Sequence, residues 1–356
     1  MATRGTIRIG IIGAGAIARS RHLPGFRSIP GVVVAGVCNR LRESSGRVAR
    51  EFDVPRIYGS WEQLVDDDTI DAVVIATPPF LHCAATLAAL GAGKHVLTQS
   101  RMAMNAREAQ RMLEKSREVP HYTTMVAPSP IGLAGDALIR RMVAAGDVGT
   151  LLELHVDGLS GDLADPATPM DWRQHTKYSG FNMLTLGELH EAALRWTSPP
   201  VRVIAVASKL VPIRLDPEKG KPARVGTPDS VQVLTAQADG SRGVYRLSGV
   251  TPHAPRPSIT LYGTAGTIVY DLERDTIRHA RRGDLALKPV PIPDELRGAW
   301  SVEADFIAAI RGERPVERTT FEDGVRSMQF TEAVARSSRH SSPVDLPLLE
   351  FSNPSL

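Results

Sequence analysis

The feature that most constrains this chain is a glycine turn that follows an apolar, strand-like run. The run Ile7–Ile12 leads into Gly13-Ala14-Gly15-Ala16-Ile17-Ala18, which has the Gly-x-Gly-x-x-Ala spacing of a turn between a strand and a helix. Gly13 permits the tight turn, Gly15 leaves room for backbone to approach a pyrophosphate, and Ala18 lets the helix pack on the strand. Because a helix N-terminus attracts phosphate, the turn predicts a bound dinucleotide. The residues expected at this cofactor are Gly13, Gly15, Ala16 and Ile17.

Composition narrows the class of protein. The chain has 356 residues, of which 42% are hydrophobic and 23% charged, so two soluble globular domains are expected. Its net charge of +3 is small and its basic residues are scattered, which argues against nucleic-acid binding. No apolar run approaches the roughly 20 residues of a membrane span, and the first strand begins too early for a signal peptide. The two cysteines fit neither a disulfide framework nor a metal site. We therefore expect a cytoplasmic protein.

The first domain, residues 1–127, alternates strand-like and helix-like segments. This alternation predicts an α/β fold with a doubly wound parallel sheet, a Rossmann arrangement. The segments expected as its second, fourth and fifth strands are Val32–Val37, Ala72–Ala76 and His95–Leu97.

The second domain, residues 128–356, has longer alternating runs. Several strands close together predict a C-terminal α/β domain with a mostly antiparallel open sheet and helices on one face. Prolines mark 212–228 and 252–257 as loops. The predicted strands are Leu151–Val156, Val201–Ala207, Ser230–Ala238, Arg242–Ser248 and Ser258–Tyr262, and the predicted helices are 134–145, Val302–Ile310 and Phe321–Ser337.

The end of the second strand should meet the adenosine ribose of the cofactor. An Asp there would favour NAD, whereas this chain has Asn39 followed by Arg40. Asn39 does not repel a 2′-phosphate, and Arg40 can pair with one or stack on adenine, so NADP is slightly favoured over NAD. The alternative is that Arg40 only starts a solvated helix.

A second cofactor segment follows the fourth strand. Thr77 and Pro78 form a small turn at the carboxyl edge of the sheet, where a ligand lies in this class of fold. His82 either contacts the cofactor or caps the next helix.

Taken together, these segments resemble the Gfo/Idh/MocA family of sugar and cyclitol oxidoreductases, which includes glucose–fructose oxidoreductase and inositol dehydrogenase. The resemblance also covers Leu87–Leu97, Ile259–Thr267 and Glu303–Gly312. It implies a sugar-like or polyol substrate, an NAD(P) cofactor, and a C-terminal sheet that supports the substrate site and a homodimer or homotetramer.

The resemblance also implies catalytic residues that this chain lacks. The family has Glu-Lys-Pro after the fifth strand, with the lysine beside nicotinamide and substrate, whereas this chain reads Gln99-Ser100-Arg101. The family's Asp-x-Gly-x-His places Thr185 at the aspartate and Leu189 at the histidine. The resemblance places Gln99, Ser100 and Arg173 beside the cofactor.

Another group must then carry the proton when a hydroxyl is oxidised. Glu188 lies three residues after Thr185, so on a helix both face the same way, and it is the first candidate. His190 is the next, with the alternative that it only packs. Lys177 or Tyr178, in a polar loop that borders the site in the family, would need a lowered pKa. The spacing of Glu188, His190 and His175 fits no strong metal template, so no metal is expected.

Two functions stay open at this stage. One is an NAD(P)-dependent enzyme acting on a sugar, cyclitol or related polyol, either as a dehydrogenase or by transient oxidation followed by elimination or hydration, without net redox. The other is a nucleotide-binding or sensor protein that has lost the chemistry.

Overall fold

The computed structural model describes residues 5–129 and 133–351, and these cluster into two compact units. The first unit contains the described residues up to Pro128 together with Ser301–Arg326; the second contains the rest. The sequence analysis assigned all of 128–356 to one domain, but Ser301–Arg326 belongs to the first unit. This segment is fixed there by backbone contacts, such as the 2.9 Å hydrogen bond from the Val126 N–H to the Thr319 carbonyl.

The first unit is built on a six-stranded parallel sheet with the order β3-β2-β1-β4-β5-β6. This is the Rossmann order, in which a crevice for ligands opens at the carboxyl ends of β1 and β4. Residues in the strand interiors, such as Ile9, Ile11 and Val73, are fully buried, as expected for a parallel sheet covered on both faces. The strands are β1 (Ile7–Ile12), β2 (Val32–Cys38), β3 (Arg56–Ile57), β4 (Ala72–Ile75), β5 (His95–Thr98) and β6 (Thr124–Val126).

The helix after the glycine turn starts at Ala16 and soon passes into a π-helical turn, Ala18–His22, which the sequence did not reveal. It continues as α1 (Leu23–Arg27). The other helices between the strands are α2 (Arg42–Glu51), α3 (Trp61–Val65), α4 (His82–Gly91) and α5 (Ala106–Glu118).

The second unit contains a nine-stranded sheet with the order β16-β15-β14-β13-β7-β12-β11-β8-β17. Only the pairing of β7 with β12 is parallel, so the predicted mostly antiparallel sheet is confirmed. Its strands are β7 (Leu151–Leu159), β8 (Pro200–Ser208), β11 (Ser230–Gln237), β12 (Arg242–Ser248), β13 (Ser258–Gly263), β14 (Gly266–Asp271), β15 (Thr276–Arg281), β16 (Lys288–Val290) and β17 (Val344–Asp345), and β9 (Ile213–Asp216) and β10 (Lys221–Arg224) form a separate pair. The remaining helices are α6 (Leu133–Ala144), α7 (Thr176–Ser179), α8 (Leu186–Leu194), α9 (Val302–Ile310), which lies in the first unit, and α10 (Phe321–His340).

One face of this large sheet is covered by helices and the other is exposed. The Ala205 N–H of β8 donates to the Ser337 hydroxyl of α10 over 2.9 Å, which ties the covered face to a helix. On the opposite face Ile204, Val206 and Leu234 are 43%, 63% and 56% exposed. The alternation of buried and exposed residues along β11 follows from this difference.

The proline-rich segment 212–228 is not a loop throughout, in contrast to the expectation from its composition. It forms the β9–β10 hairpin, in which Asp216 pairs with Lys221 across a turn that contains Gly220 at a φ of +63°. Pro222 is tolerated because each strand of a two-stranded sheet has an edge that needs no N–H donor. The guanidinium of the buried Arg214 donates to the carbonyls of Asp165 and Thr168 over 2.8 and 3.1 Å, so the hairpin is anchored from within.

Candidate active site

The glycine turn after β1 has the shape that a ligand cradle requires. Gly13 has a φ of +87°, and a Cβ there would lie 2.6 Å from the Thr77 Cγ2 and 2.8 Å from the Ala76 carbonyl carbon. A Cβ on Gly15 would meet no described atom within 4 Å. Gly13 is therefore required by the fold, whereas at Gly15 the absence of a side chain leaves open space. Ala16 and Ile17 follow in the first helical turn, where N–H groups lack intrahelical acceptors.

Asn39, at the end of β2, holds this turn in place. Its Oδ1 accepts from the Ala14 N–H over 2.6 Å, and its own N–H donates to the Ser45 hydroxyl over 2.8 Å. The Gly13 N–H donates to the Cys38 carbonyl over 2.8 Å. The structure thus brings Asn39 against the glycine turn, with Arg40 exposed next to it.

His82 connects two loops at the carboxyl edge of the sheet. Its side chain is buried, with Nε2 2.7 Å from the Thr77 carbonyl and Nδ1 3.0 Å from the Arg101 carbonyl. Burial lowers the pKa of His82 to about 4, so near pH 7 the ring is neutral and donates to only one of these two carbonyls. Both ring nitrogens face main chain, and His82 is the first residue of α4. The expectation that it contacts the cofactor is therefore corrected: it positions the loops that carry Thr77 and Pro78.

Gln99 and Ser100 follow β5 at the same edge of the sheet, and both are half-buried. The Gln99 N–H donates to the Ile75 carbonyl at the end of β4 over 2.9 Å, and the Ser100–Arg101 peptide bond is cis. The structure therefore places Gln99 and Ser100 beside the end of β4, where the crevice begins.

In the second unit, α8 carries Glu188 on a half-buried face. Leu189 is 2% exposed, and its Cδ1 lies 2.5 Å from where a Cβ on Gly158 of β7 would stand. The position that holds a histidine in the family pattern is therefore part of an apolar core in this chain. Thr185 is exposed at the start of the helix.

His190 is a core residue, which corrects its place among the catalytic candidates. It is 1% exposed, stacks on Phe330 at 3.6 Å between ring centroids, and has Nδ1 3.0 Å from the Tyr245 hydroxyl. Burial lowers the pKa of His190 to about 3. A neutral ring enclosed by aromatic side chains cannot reach a substrate.

Lys177 and Tyr178 lie on α7 and share one partner, Glu218 in the β9–β10 turn. The Lys177 Nζ is 2.8 Å from one Glu218 oxygen, and the Tyr178 hydroxyl donates to the other over 2.8 Å. The hydrogen bond to the Glu218 carboxylate raises the pKa of Lys177 above its ordinary value, whereas a base requires it to fall. Lys177 is therefore corrected from base candidate to surface cation.

Arg173 belongs to the second unit, whereas the other predicted cofactor residues belong to the first. Its side chain is exposed, ion-paired with Asp171 at 3.3 Å and stacked 4.4 Å from the Trp172 ring centroid. Its carbonyl accepts from the Ser179 hydroxyl over 2.8 Å, which orders this loop internally.

Glu191, to which the sequence analysis assigned no role, makes hydrogen bonds to the main chain and an ion pair. Its two carboxylate oxygens accept from the Ser129 N–H over 3.0 and 3.1 Å, and Arg195 lies 3.4 Å away. The four-residue spacing of Glu191 and Arg195 was the one available signal.

Residues 5–129 and 133–351 contain neither a metal-binding cluster nor a membrane-spanning helix. Within these ranges no group of three or more His, Cys, Asp or Glu side chains is placed to hold a metal ion. The same ranges contain no helix that is both long enough and apolar enough to cross a membrane.

Comparison with family models shows which protein family the chain belongs to. Residues 7–125 match the model of the "Oxidoreductase family, NAD-binding Rossmann fold", and residues 137–269 match the "GFO/IDH/MocA C-terminal domain". The chain belongs to the Gfo/Idh/MocA family. It is therefore an oxidoreductase-type enzyme with an NAD-binding Rossmann domain, as the glycine turn predicted, in a family of NAD-dependent dehydrogenases of sugars and polyols.

Two of the similar proteins are distant in sequence but match nearly the whole chain. Levoglucosan dehydrogenase of Pseudarthrobacter phenanthrenivorans is 26% identical over 96% of this chain and 98% of its own. The dTDP-3,4-didehydro-2,6-dideoxy-alpha-D-glucose 3-reductase of Saccharopolyspora spinosa is 24% identical over 94% and 98%. Among solved structures, levoglucosan dehydrogenase in complex with NADH and L-sorbose superposes with a TM-score of 0.85 at 24% identity, covering 97% of this chain and all of that one. This structural likeness shows a shared fold.

Proposed function

We propose that this enzyme acts on a sugar, cyclitol or related polyol with NAD(P) as cofactor and that Glu188 transfers the substrate proton. The observation that supports cofactor binding is the contrast between Gly13, which is closed in by Thr77, and Gly15, which faces open space. The names of two full-length relatives, a levoglucosan dehydrogenase and a dideoxyglucose 3-reductase, support a sugar-like substrate.

The role of Glu188 follows from the position and chemistry of the other candidates. His190 is enclosed in the core, and Lys177 is held as a cation by Glu218. Tyr178 donates its hydroxyl to the same carboxylate, so its proton is already engaged with Glu218. Glu188 is half-buried one helical turn after Thr185, on the face where the family pattern has its aspartate. A carboxylate there can accept a proton from a hydroxyl.

The same carboxylate also suits a reaction without net redox. A bound nicotinamide accepts a hydride from the substrate or returns one. Once a ring hydroxyl is a ketone, the C–H on the neighbouring carbon is acidic. Glu188 can remove that proton while a hydroxyl or alkoxy group leaves from the next carbon, and return of the hydride to the ketone then leaves no net redox change. Ser100 can replace the family lysine in either reaction only if another base activates its hydroxyl.

For the cofactor we infer that NADP is accepted at least as well as NAD. Asn39 places no negative charge at the ribose end, and its Oδ1 is already used by the Ala14 N–H, which leaves the NH2 group as a donor. Arg40 is exposed beside it and can pair with a 2′-phosphate. Titration of both cofactors with Arg40→Ala tests this inference, since an unchanged ratio of the two affinities would contradict it.

We also propose a homodimer or homotetramer formed through the open face of the large sheet. Ile204, Val206 and Leu234 make this face apolar and exposed. Sedimentation equilibrium tests it, and a monomer at micromolar concentration would contradict it.

The deciding experiment combines cofactor inspection with product analysis. Purified protein is examined for bound cofactor by absorbance and then incubated with a panel of sugars and cyclitols, with products separated by chromatography. Product with net NAD(P)H formation indicates a dehydrogenase, and product without it indicates the redox-neutral reaction. Bound cofactor with no product from any substrate would favour the sensor.

The residue assignment is tested with Glu188→Gln, which keeps the shape of the side chain and removes the base. We expect turnover to fall by about 10²-fold or more, because that is what an acid–base group contributes. Glu295→Gln, an exposed carboxylate in the same unit, is the matched control and should leave turnover unchanged. A Glu188→Gln enzyme within about threefold of the parent would remove Glu188 from the mechanism.

A further inference from the structure

Two buried side chains and one half-buried side chain of the first unit meet behind the carboxyl edge of its sheet. His22 comes from the π-helical turn that follows the glycine turn, Gln99 follows β5, and Glu303 lies in the first turn of α9. His22 Nδ1 is 2.5 Å from a Glu303 carboxylate oxygen, and His22 Nε2 contacts the Gln99 Nε2. The sequence analysis gave no role to His22 or Glu303.

The burial of this group makes its hydrogen bonds consequential. His22 is 0% and Glu303 3% exposed, whereas Gln99 is half-buried. A Cβ on Gly25 would lie 2.7 Å from the Glu303 carboxyl carbon, so the glycine leaves the space in which the carboxylate meets the ring. A buried carboxylate requires hydrogen-bond donors, and its place in the first turn of α9 also favours the negative charge.

Donor and acceptor rules then fix the direction of each bond. A carboxylate only accepts, so the His22 Nδ1–H donates to Glu303. The Gln99 amide is placed with its nitrogen toward His22 Nε2, and in this amide orientation Nε2 is the acceptor of the bond. The ring is therefore neutral, and the Gln99 amide is turned with its NH2 toward His22 and its carbonyl oxygen away from it.

From this geometry we propose that Glu303 and His22 are positioning residues that select the orientation of the Gln99 amide and hold the segment that begins at Ser100. The backbone of Gln99 is fixed to β4 by its N–H, and its side chain is fixed to the helix that follows the glycine turn. We call the contacts from Glu303 through His22 to Gln99 the relay. The relay links the helix after the glycine turn, at the proposed phosphate end of the crevice, to the loop in which this chain departs from the family pattern. The inference rests on the cofactor half of the proposed function and does not depend on the substrate.

The replacement of an acid by Gln99 has a consequence for charge. An acid at position 99, as in the family's Glu-Lys-Pro, would place a second carboxylate against His22, and the ring would then have to donate through both nitrogens. Glutamine satisfies the same nitrogen without a charge. Gln99 thereby keeps His22 neutral and leaves Glu303 as the one carboxylate of the relay.

Nitrogen-15 NMR of histidine side chains tests the proposal in the full chain, with His22→Asn used to assign the His22 signals. We expect the neutral, Nδ1-protonated ring in the parent and a doubly protonated ring in Gln99→Glu. His82, which is buried against two carbonyls of the same unit, is the matched control and should not change. An Nε2-protonated or charged His22 in the parent, or a neutral one in Gln99→Glu, would overturn the relay.

NADH titration followed by fluorescence supplies the functional measurement. Glu303→Leu removes the acceptor and should weaken NADH binding about tenfold, which is the effect of one lost hydrogen bond, whereas Glu303→Gln keeps an acceptor and should stay within about threefold. If Glu303→Leu does not fold, Gln99→Met, which keeps the length and removes the amide, is measured in its place with the same expectation. Equal affinities throughout would overturn the positioning role even if the NMR result holds. A supported relay in a protein that converts no polyol would count against the proposed substrate alone.

Discussion

In the proposed function, the glycine turn of the first unit binds the cofactor mostly through backbone atoms. Along α8 of the second unit, proton transfer depends on side chains. Gly13 and Gly15 matter because they have no side chain, and the Ala14 N–H is fixed by its hydrogen bond to Asn39. On α8, by contrast, the proposed proton transfer depends on which side chain stands at each position, and Leu189, where the family pattern has a histidine, is part of the core. In the proposed function, backbone geometry therefore holds the cofactor, whereas proton transfer depends on the identity of a single side chain.

The strongest way to break this comparison is to add a methyl group to the turn. Gly13→Ala would force a side chain onto a φ of +87° and against Thr77 and Ala76. We expect NADH binding to be lost and the free energy of unfolding to fall by about 1–3 kcal/mol from backbone strain, with more from the clash. Titration of NADH and urea unfolding measure the two effects.

Gly15→Ala is the matched control for that substitution. Because the added Cβ meets no described atom within 4 Å, the unfolding midpoint should stay unchanged while NADH binding weakens. If Gly15→Ala binds NADH as tightly as the parent, the open space at Gly15 is not where the cofactor backbone approaches.

The pH dependence of the free energy of unfolding tests whether His82 and His190 are neutral core residues. Burial lowers the pKa of His82 to about 4 and of His190 to about 3, below the roughly 6.5 of an unfolded chain. The unfolded state therefore binds more protons below pH 6.5, so stability is complete above that pH and falls as the pH drops toward 4. Each histidine should remove about 1.4 kcal/mol per pH unit in this window.

Urea unfolding of the parent and of His190→Phe between pH 7 and 5 measures this dependence. The variant should lose one histidine's share of the slope, and its turnover per folded molecule should stay within about threefold, because His190 stacks on Phe330 and touches no substrate. Identical slopes in both proteins would contradict the neutral core assignment.

The smallest expected effect belongs to Lys177. Its ammonium is exposed and paired with Glu218, so Lys177→Met should leave the unfolding midpoint unchanged and turnover within about twofold. A loss of turnover near that of Glu188→Gln would move proton transfer from α8 to α7.

The fold was accessible from the sequence wherever one pattern fixes one structure. The turn at Gly13 and the apolar run Ala72–Ile75 are local signals, and both predicted the Rossmann sheet that is observed. The hairpin at Ile213–Asp216 was missed because its prolines indicate a loop, while the buried Arg214 that anchors it reveals nothing in sequence.

The site was less accessible because it depends on residues far apart in the chain. His22 and Glu303 are 281 positions apart, and only packing brings the ring to the carboxylate. The burial of His190 depends likewise on Phe330 of α10. Glu188 was placed by helical spacing alone, and its catalytic role stays a prediction.

The most direct test of the account is the distance between Glu188 and the reacting carbon's hydroxyl in a crystal structure with NAD(P) and a polyol bound. The account predicts that a Glu188 carboxylate oxygen lies about 2.6–3.2 Å from that hydroxyl, or reaches it through one water. A complex in which Tyr178 or Ser100 occupies that position, with Glu188 turned to solvent, would contradict it.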